Sequence, residues 1–144
     1  MKLPYGISDF REIALKNYFY CDRTDLINQL EENKFQLFLR PRRFGKSLLL
    51  SMLENYYDIA KKSEFDAMFG SLKIGRNPTP IRSSYFILKW DFSCIDASGN
   101  LDDIRQSLYD HINEKIKGFI LYYIALHSLI RNPVFLIFKL TINK

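Results

Sequence analysis

The sequence is poor in several things, and each shortage excludes something. It has only two cysteines, Cys21 and Cys94, far apart and with no second Cys or His at metal-ligand spacing. That excludes a disulfide scaffold and a zinc-finger module, and it fits reduced thiols in a cytoplasmic protein. No apolar run approaches the roughly twenty residues that a membrane-spanning helix needs. The opening MKLPYGISDFRE turns polar at once, unlike a secretory leader. The two histidines, His111 and His127, have no catalytic partner at a recognisable spacing and read as surface or packed residues. The rarest feature is local: no Asp or Glu follows Glu114.

That local shortage explains the charge. The chain has 144 residues and a formal net charge of +5. The excess lies in Lys115, Lys117, Arg131, Lys139 and Lys144, while the residues before them balance. A hydrophobic content of 47% with 26% charged residues is globular, and the length suits one domain with a modest core. The basic balance belongs to the tail and is a weak pointer to nucleic acid for the folded part.

What is present centres on Phe35–Tyr57, FQLFLRPRRFGKSLLLSMLENYY. Phe35–Leu39 reads as a short buried strand. Pro41 pushes Arg40 toward extended geometry, so that strand stops cleanly. Leu49, Met52, Leu53 and Tyr56 recur at helical spacing and predict a helix over Leu48–Tyr57, extending to Lys61 or Lys62. Between the two lies Gly45-Lys46-Ser47. A helix start exposes unpaired amides and partial positive charge. A glycine lets an anion approach the backbone, a lysine adds a point charge, and a serine hydroxyl can hold Mg²⁺. Arg42 and Arg43 add positive charge, and Phe44 completes the turn. The general phosphate-loop pattern G-x-x-x-x-G-K-[ST] lacks its first glycine, because Arg40 stands there. On spacing alone, a phosphate site and a solvated basic turn both stand.

The string RPRRFGKSLLLSMLENYY resembles the Walker A region of the AAA-ATPase-like family, in which an Arg-Pro-Arg-Arg-Phe-Gly-Lys-Ser loop replaces the first glycine. LPYGISDF (Leu3–Phe10) is similar to the family's opening. YFYCDRT (Tyr18–Thr24) resembles its Asp-Lys-Thr segment, with Arg23 in place of Lys. The resemblance runs from about Leu3 to Lys117. It implies ATP binding with Mg²⁺ through Gly45, Lys46 and Ser47, and it sets Tyr18–Tyr20 near the nucleotide. Read without it, those aromatics are a strand or a loop packed on the core. Many members of the family also carry a nuclease-like C-terminal domain, to which nothing in this sequence corresponds.

Around this centre, Ser8 predicts the cap of a helix over Asp9–Lys16, and Asp22 or Thr24 the cap of a helix bearing Leu26, Ile27 and Leu30. Ser63 caps a short helix containing Phe65, Met68 and Phe69, closed by Gly70. Ser71–Pro80 reads as a loop. Ser83–Phe92 reads as a second strand. Asn100 caps a helix from Leu101 to about Lys117. The order predicts an α/β fold, an incomplete P-loop NTPase-like domain with parallel strands flanked by helices. The expected division is residues 1–118, the P-loop part, and 119–144, an apolar basic tail. The tail reads as unrelated or truncated sequence, or alternatively as a core strand or a membrane-surface helix.

A phosphate loop that hydrolyses ATP needs a second carboxylate at the end of an apolar strand. Asp91 is a candidate, against a strand-end or capping role, and none follows Glu114. The expected function is therefore nucleotide binding with doubtful independent hydrolysis. The alternatives are a nucleic-acid-binding module using Arg40, Arg42, Arg43 and the basic tail, and a non-functional gene remnant.

Overall fold

The computed structural model describes residues 1–33, 37, 39, 41, 43–92, 95, 98–127 and 135–140, with side chains to Ile124. It divides into two compact units, Met1–Ser84 and Tyr85–Lys144. The boundary expected at residue 118 falls inside a continuous helix.

The first unit is helical among its described residues. Helix α1 (Phe10–Leu15) is capped by Asp9 rather than Ser8: the Asp9 carboxylate accepts from the Arg11 and Glu12 amides. A carboxylate also complements the positive end of the helix, which a hydroxyl cannot do. A 3₁₀ turn over Thr24–Leu26 leads into α2 (Ile27–Glu31), and then comes α3 (Lys46–Tyr57). Helix α3 stops at Tyr57 because Asp58 turns extended, and its carboxylate accepts from Ala60 N, the start of a 3₁₀ stretch over Ile59–Glu64. Helix α4 (Phe65–Phe69) follows without a side-chain cap, so Ser63 does not serve as one. Gly70 closes α4 in right-handed geometry; a Cβ there would lie 2.5 Å from Asp66 O. The stretch read as a loop holds a single helical turn, α5 (Lys73–Arg76).

Aromatic and aliphatic side chains from α1, α3 and α4 meet in one core. Phe10, Ile13, Tyr56 and Phe69 are all 0% exposed. Phe10 stacks on Phe69 at 4.9 Å, and Tyr56 meets Phe69 edge-on at 5.4 Å. Polar ties cross the same core. Phe10 N donates to the buried Ser51 Oγ at 2.9 Å, fixing the start of α1 on α3. Thr79 N donates to Tyr56 Oη, and Thr79 Oγ1 and Tyr57 Oη both donate to Glu31 Oε1 at 2.8 Å.

The expected strand Phe35–Leu39 lies largely outside the described residues, namely at Phe35, Gln36 and Phe38. Leu37 and Leu39 are described. They are in no strand and are 81% and 80% exposed, so their burial is corrected. A buried parallel strand needs cover on both faces, and these two leucines have none.

The second unit has two strands and one long helix among its described residues. Strand β1 (Phe86–Asp91) is shorter than expected. Ser83 has φ +46°, a left-handed conformation that no strand residue adopts, and its amide donates to Tyr56 O instead. Helix α6 (Leu101–His127) begins as expected. Asn100 Oδ1 accepts from the Asp102 and Asp103 amides, and Asp103 returns a bond to Asn100 N, a reciprocal cap. The helix runs on well past Lys117. Gly118 costs about 1 kcal/mol against alanine, but Phe119 and Tyr123 beyond it pack on Phe86 of β1, at 6.4 and 4.8 Å between rings. Tyr123 Oη also accepts from Ile87 N at 2.9 Å. Strand β2 (Phe135–Leu140) pairs parallel with β1, Phe86 level with Phe135 and Asp91 with Leu140.

Candidate functional site

The Gly-Lys-Ser segment forms the start of α3. Gly45 is the N-cap residue, at φ 75° and ψ 16°, with no side chain capping the helix from that position. Arg43 is also left-handed, at φ +66°, while Phe44 between them is not. Such alternation of φ along a turn points successive amides to one side and makes an anion-binding concavity. An arginine held at positive φ stores strain of order 1 kcal/mol. A Cβ on Gly45 would meet no atom within 4 Å. The glycine is therefore required by its dihedral angle, and the space before it is open.

Gly45 O accepts from Leu49 N at 2.8 Å, closing the first turn. The amides ahead of that bond, on Ser47 and Leu48, have no acceptor among the described residues. Lys46 is half-buried, and its Nζ donates to Pro41 O at 3.0 Å, which sets the ammonium across the turn. Arg43, Phe44 and Ser47 are exposed; Phe44 is 66% exposed. Arg40 and Arg42 lie outside the described residues. The lower part of α3 is rigidly held: Ser51, Met52, Leu53, Asn55, Tyr56 and Tyr57 are buried, and Asn55 Nδ2 donates to Ser51 O. One end of the helix is thus locked in the core and the other presents amides, an amine and a hydroxyl to solvent.

The Asp-x-Thr segment has a role that its local sequence does not reveal. Asp22 Oδ1 accepts from Thr24 N and Oγ1, while Oδ2 accepts from Lys73 N at 2.7 Å. Thr24 Oγ1 accepts from Ile74 N at 3.1 Å. The pair thus caps α5, about fifty residues away, and Asp22 also accepts from Thr24 N, the first amide of the 3₁₀ turn, whose N-cap residue Arg23 makes no side-chain capping bond. Burial pushes the Asp22 carboxyl up, but the Thr24 and Lys73 hydrogen bonds outweigh it and hold it below the usual range. No local signal marked this pairing, because α5 is one turn long and contains Gly75.

The aromatic run before it is divided. Tyr20 meets Phe10 edge-on at 5.3 Å, Tyr18 lies under Lys2 Nζ at 4.4 Å, and Phe19 is half-exposed. Burial first, then Asp22 and Cys21, push the Tyr20 hydroxyl up to about 12.

Asp91 is the last residue of β1 and belongs to the second unit. His111 Nε2 is buried with no hydrogen-bond partner among the described residues, and its ring lies 6.3 Å from Phe92. The His127 side chain and Cys94 lie outside the described residues, and Cys21 is a free, exposed thiol. No group of three or more His, Cys, Asp or Glu capable of holding a metal occurs among the described residues. No helix among them is long and apolar enough to cross a membrane.

A glycine-capped helix start carrying lysine and serine has the residue order expected of a phosphate loop. Residues 4–136 match the model of the AAA-ATPase-like family, described as predicted AAA-ATPase, and the chain belongs to that family. It is also 47% identical, over 58 residues, to a protein of Azotobacter chroococcum mcd 1 described as an uncharacterized protein in the vnfD 5′ region. That stretch covers 39% of this chain and 11% of the Azotobacter protein. No solved structure matches.

Proposed function

We propose that this chain binds ATP, with the triphosphate seated on the first turn of α3. One observation carries the reading: a left-handed Gly45 opens a helix whose Ser47 and Leu48 amides have no acceptor among the described residues, with the Lys46 ammonium bonded to Pro41 O across the same turn. The amides and the open space before Gly45 suit the phosphates, Lys46 their terminal charge, and the Ser47 hydroxyl Mg²⁺. Arg42 and Arg43 supply auxiliary positive charge, and Phe44 shapes the turn between Arg43 and Gly45. Bound Mg²⁺ would neutralise phosphate charge. What the protein contributes is the placing of donors on a helix whose other end is locked in the core. Membership of the predicted AAA-ATPase family supports this reading, and the parallel pairing of β1 with β2 supports an incomplete P-loop NTPase-like sheet.

The proposal is nucleotide binding; independent hydrolysis is not part of it, because phosphoryl transfer to water needs a group that orients the water and no residue is assigned that role. The test is a titration with ATP, with and without Mg²⁺, followed by thermal unfolding. Bound ligand at a hundred times its Kd should stabilise the fold by about 2.7 kcal/mol. Lys46→Ala should abolish that stabilisation while leaving the apo fold intact. Ser47→Ala should remove mainly the dependence on Mg²⁺. An ATP response unchanged in Lys46→Ala would sink the proposal. Binding that weakens steeply with salt, ignores Mg²⁺ and is competed by polyanions would favour nucleic acid instead.

A further inference from the structure

Helix α6 is apolar over more of its circumference than its own unit covers. One side packs on β1 through Phe119 and Tyr123. Next to that side, Tyr109, Ile116, Ile120 and Ile124 recur at spacings of seven, four and four residues, which places them on one stripe. They are 53%, 40%, 53% and 64% exposed. Apolar side chains scattered singly need no explanation; four aligned along one helix face, with only Asn113 among them, mark an interaction surface.

The charges along the helix say what kind of partner fits. Its first half carries Asp102, Asp103, Asp110 and Glu114 against Arg105 alone. Its second half carries Lys115 and Lys117 and no acid. A second copy running antiparallel sets acidic half against basic half, whereas a parallel copy sets like against like. With the two-fold axis between positions 116 and 117, Tyr109 lies level with the partner's Ile124, and Ile116 stands at the centre. Glu114 and Lys117 flank the stripe and pair with each other at 3.5 Å, 74% and 71% exposed. In the antiparallel arrangement each Lys117 lies within about 3 Å, along the axis, of the partner's Glu114. Four carboxylates on the same helix disfavour an anionic lipid surface.

We propose that this chain self-associates through α6, antiparallel, with Tyr109, Ile116, Ile120 and Ile124 as the apolar seam and reciprocal Glu114–Lys117 pairs beside the axis. One helix face per copy is a small interface, about 1,000 Å² in total, so the dimer is weak and concentration-dependent.

Sedimentation equilibrium of the full chain over a wide concentration range, without nucleotide, tests it. The wild type should show a monomer–dimer equilibrium. Ile120→Asp should weaken it about a hundredfold with helix content unchanged by circular dichroism. Glu114→Lys and Lys117→Glu, each alone, should weaken it about three- to tenfold, since each creates like-charge pairs. Mixing those two charge variants should restore association as a heterodimer, a result that depends neither on the apolar substitution nor on a change in fold. A wild type that stays monomeric overturns the proposal. So does a dimer that survives Ile120→Asp, a charge-variant mixture that fails to associate, or a stripe that binds anionic vesicles without self-association.

Discussion

In Met1–Ser84, large side chains from separate short helices vanish together from solvent: Phe10, Ile13, Tyr56 and Phe69 at 0%, Ile27 and Ile74 at 1%. In Tyr85–Lys144, a single helix leaves Leu101 80%, Leu121 72% and Ile124 64% exposed, and Tyr123 is the one large α6 side chain among the described residues that is buried. The first unit has seven helical pieces among its described residues, only one of them longer than six residues, yet it has the denser core. The second has a 27-residue helix and a parallel strand pair, yet it anchors them through a few rings. Regular secondary structure and tertiary stability therefore come apart here. Short helices are marginal alone and are held by packing, whereas a long helix with a good cap needs less help. The difference also bears on function. The candidate nucleotide turn sits on the well-anchored unit, where α3 is held at its far end, so its amides can be preorganised. The apolar stripe sits on the loosely covered one.

The comparison breaks first at Phe69. Phe69→Ala should cost about 3–5 kcal/mol and unfold the first unit under mild denaturant, read by hydrogen exchange at α1 and α3. The single tryptophan, Trp90, lies in β1 and reports the second unit separately. Simultaneous loss of Trp90 fluorescence would show that the two units unfold as one.

Tyr123→Phe keeps the ring packing but strands the Ile87 amide. It should cost about 1–2 kcal/mol and shift the Trp90 transition alone in a urea titration.

The Asp22 tie predicts an acid limb for the first unit. The carboxyl is held below its ordinary value in the fold. Its contribution is therefore complete above the ordinary Asp pKa of about 3.9 and is lost as pH falls through the lower folded value. Asp22→Asn should flatten that limb and cost about 1 kcal/mol at neutral pH through the lost cap. Urea midpoints measured from neutral pH down to about 3 would show both effects. An unchanged limb would mean that other carboxylates dominate it.

The smallest expected change sharpens the second side. Gly118 lies inside α6, and a Cβ there would meet nothing within 4 Å. Gly118→Ala should stabilise the second unit by about 0.5–1 kcal/mol. Its Trp90 midpoint should rise while exchange in the first unit stays the same.

What was legible is local sequence order at helix starts. Gly45, Lys46 and Ser47 lie at a helix start, and their order is visible in the chain. The α6 cap at Asn100 was legible for the same reason. The misses are nonlocal. Ser8 read as the cap of α1, and the fold placed Asp9 against the free amides instead. The helical turn at Lys73–Arg76 was invisible, because its donors are satisfied by Asp22 and Thr24 from a distant segment. Helix α6 outran its expected end because Phe86 holds Phe119 and Tyr123 beyond the glycine.

By itself the sequence determined the residue order of the α3 turn, the unequal spread of charge along the chain, and the start of α6, since these depend on neighbours a few residues apart. Only the tertiary structure decided where helices end, which aromatics are withdrawn from water, what the Asp22–Thr24 pair caps, and which face of α6 is left uncovered. Those outcomes depend on contacts between residues tens of positions apart, and no periodicity in a single chain records them.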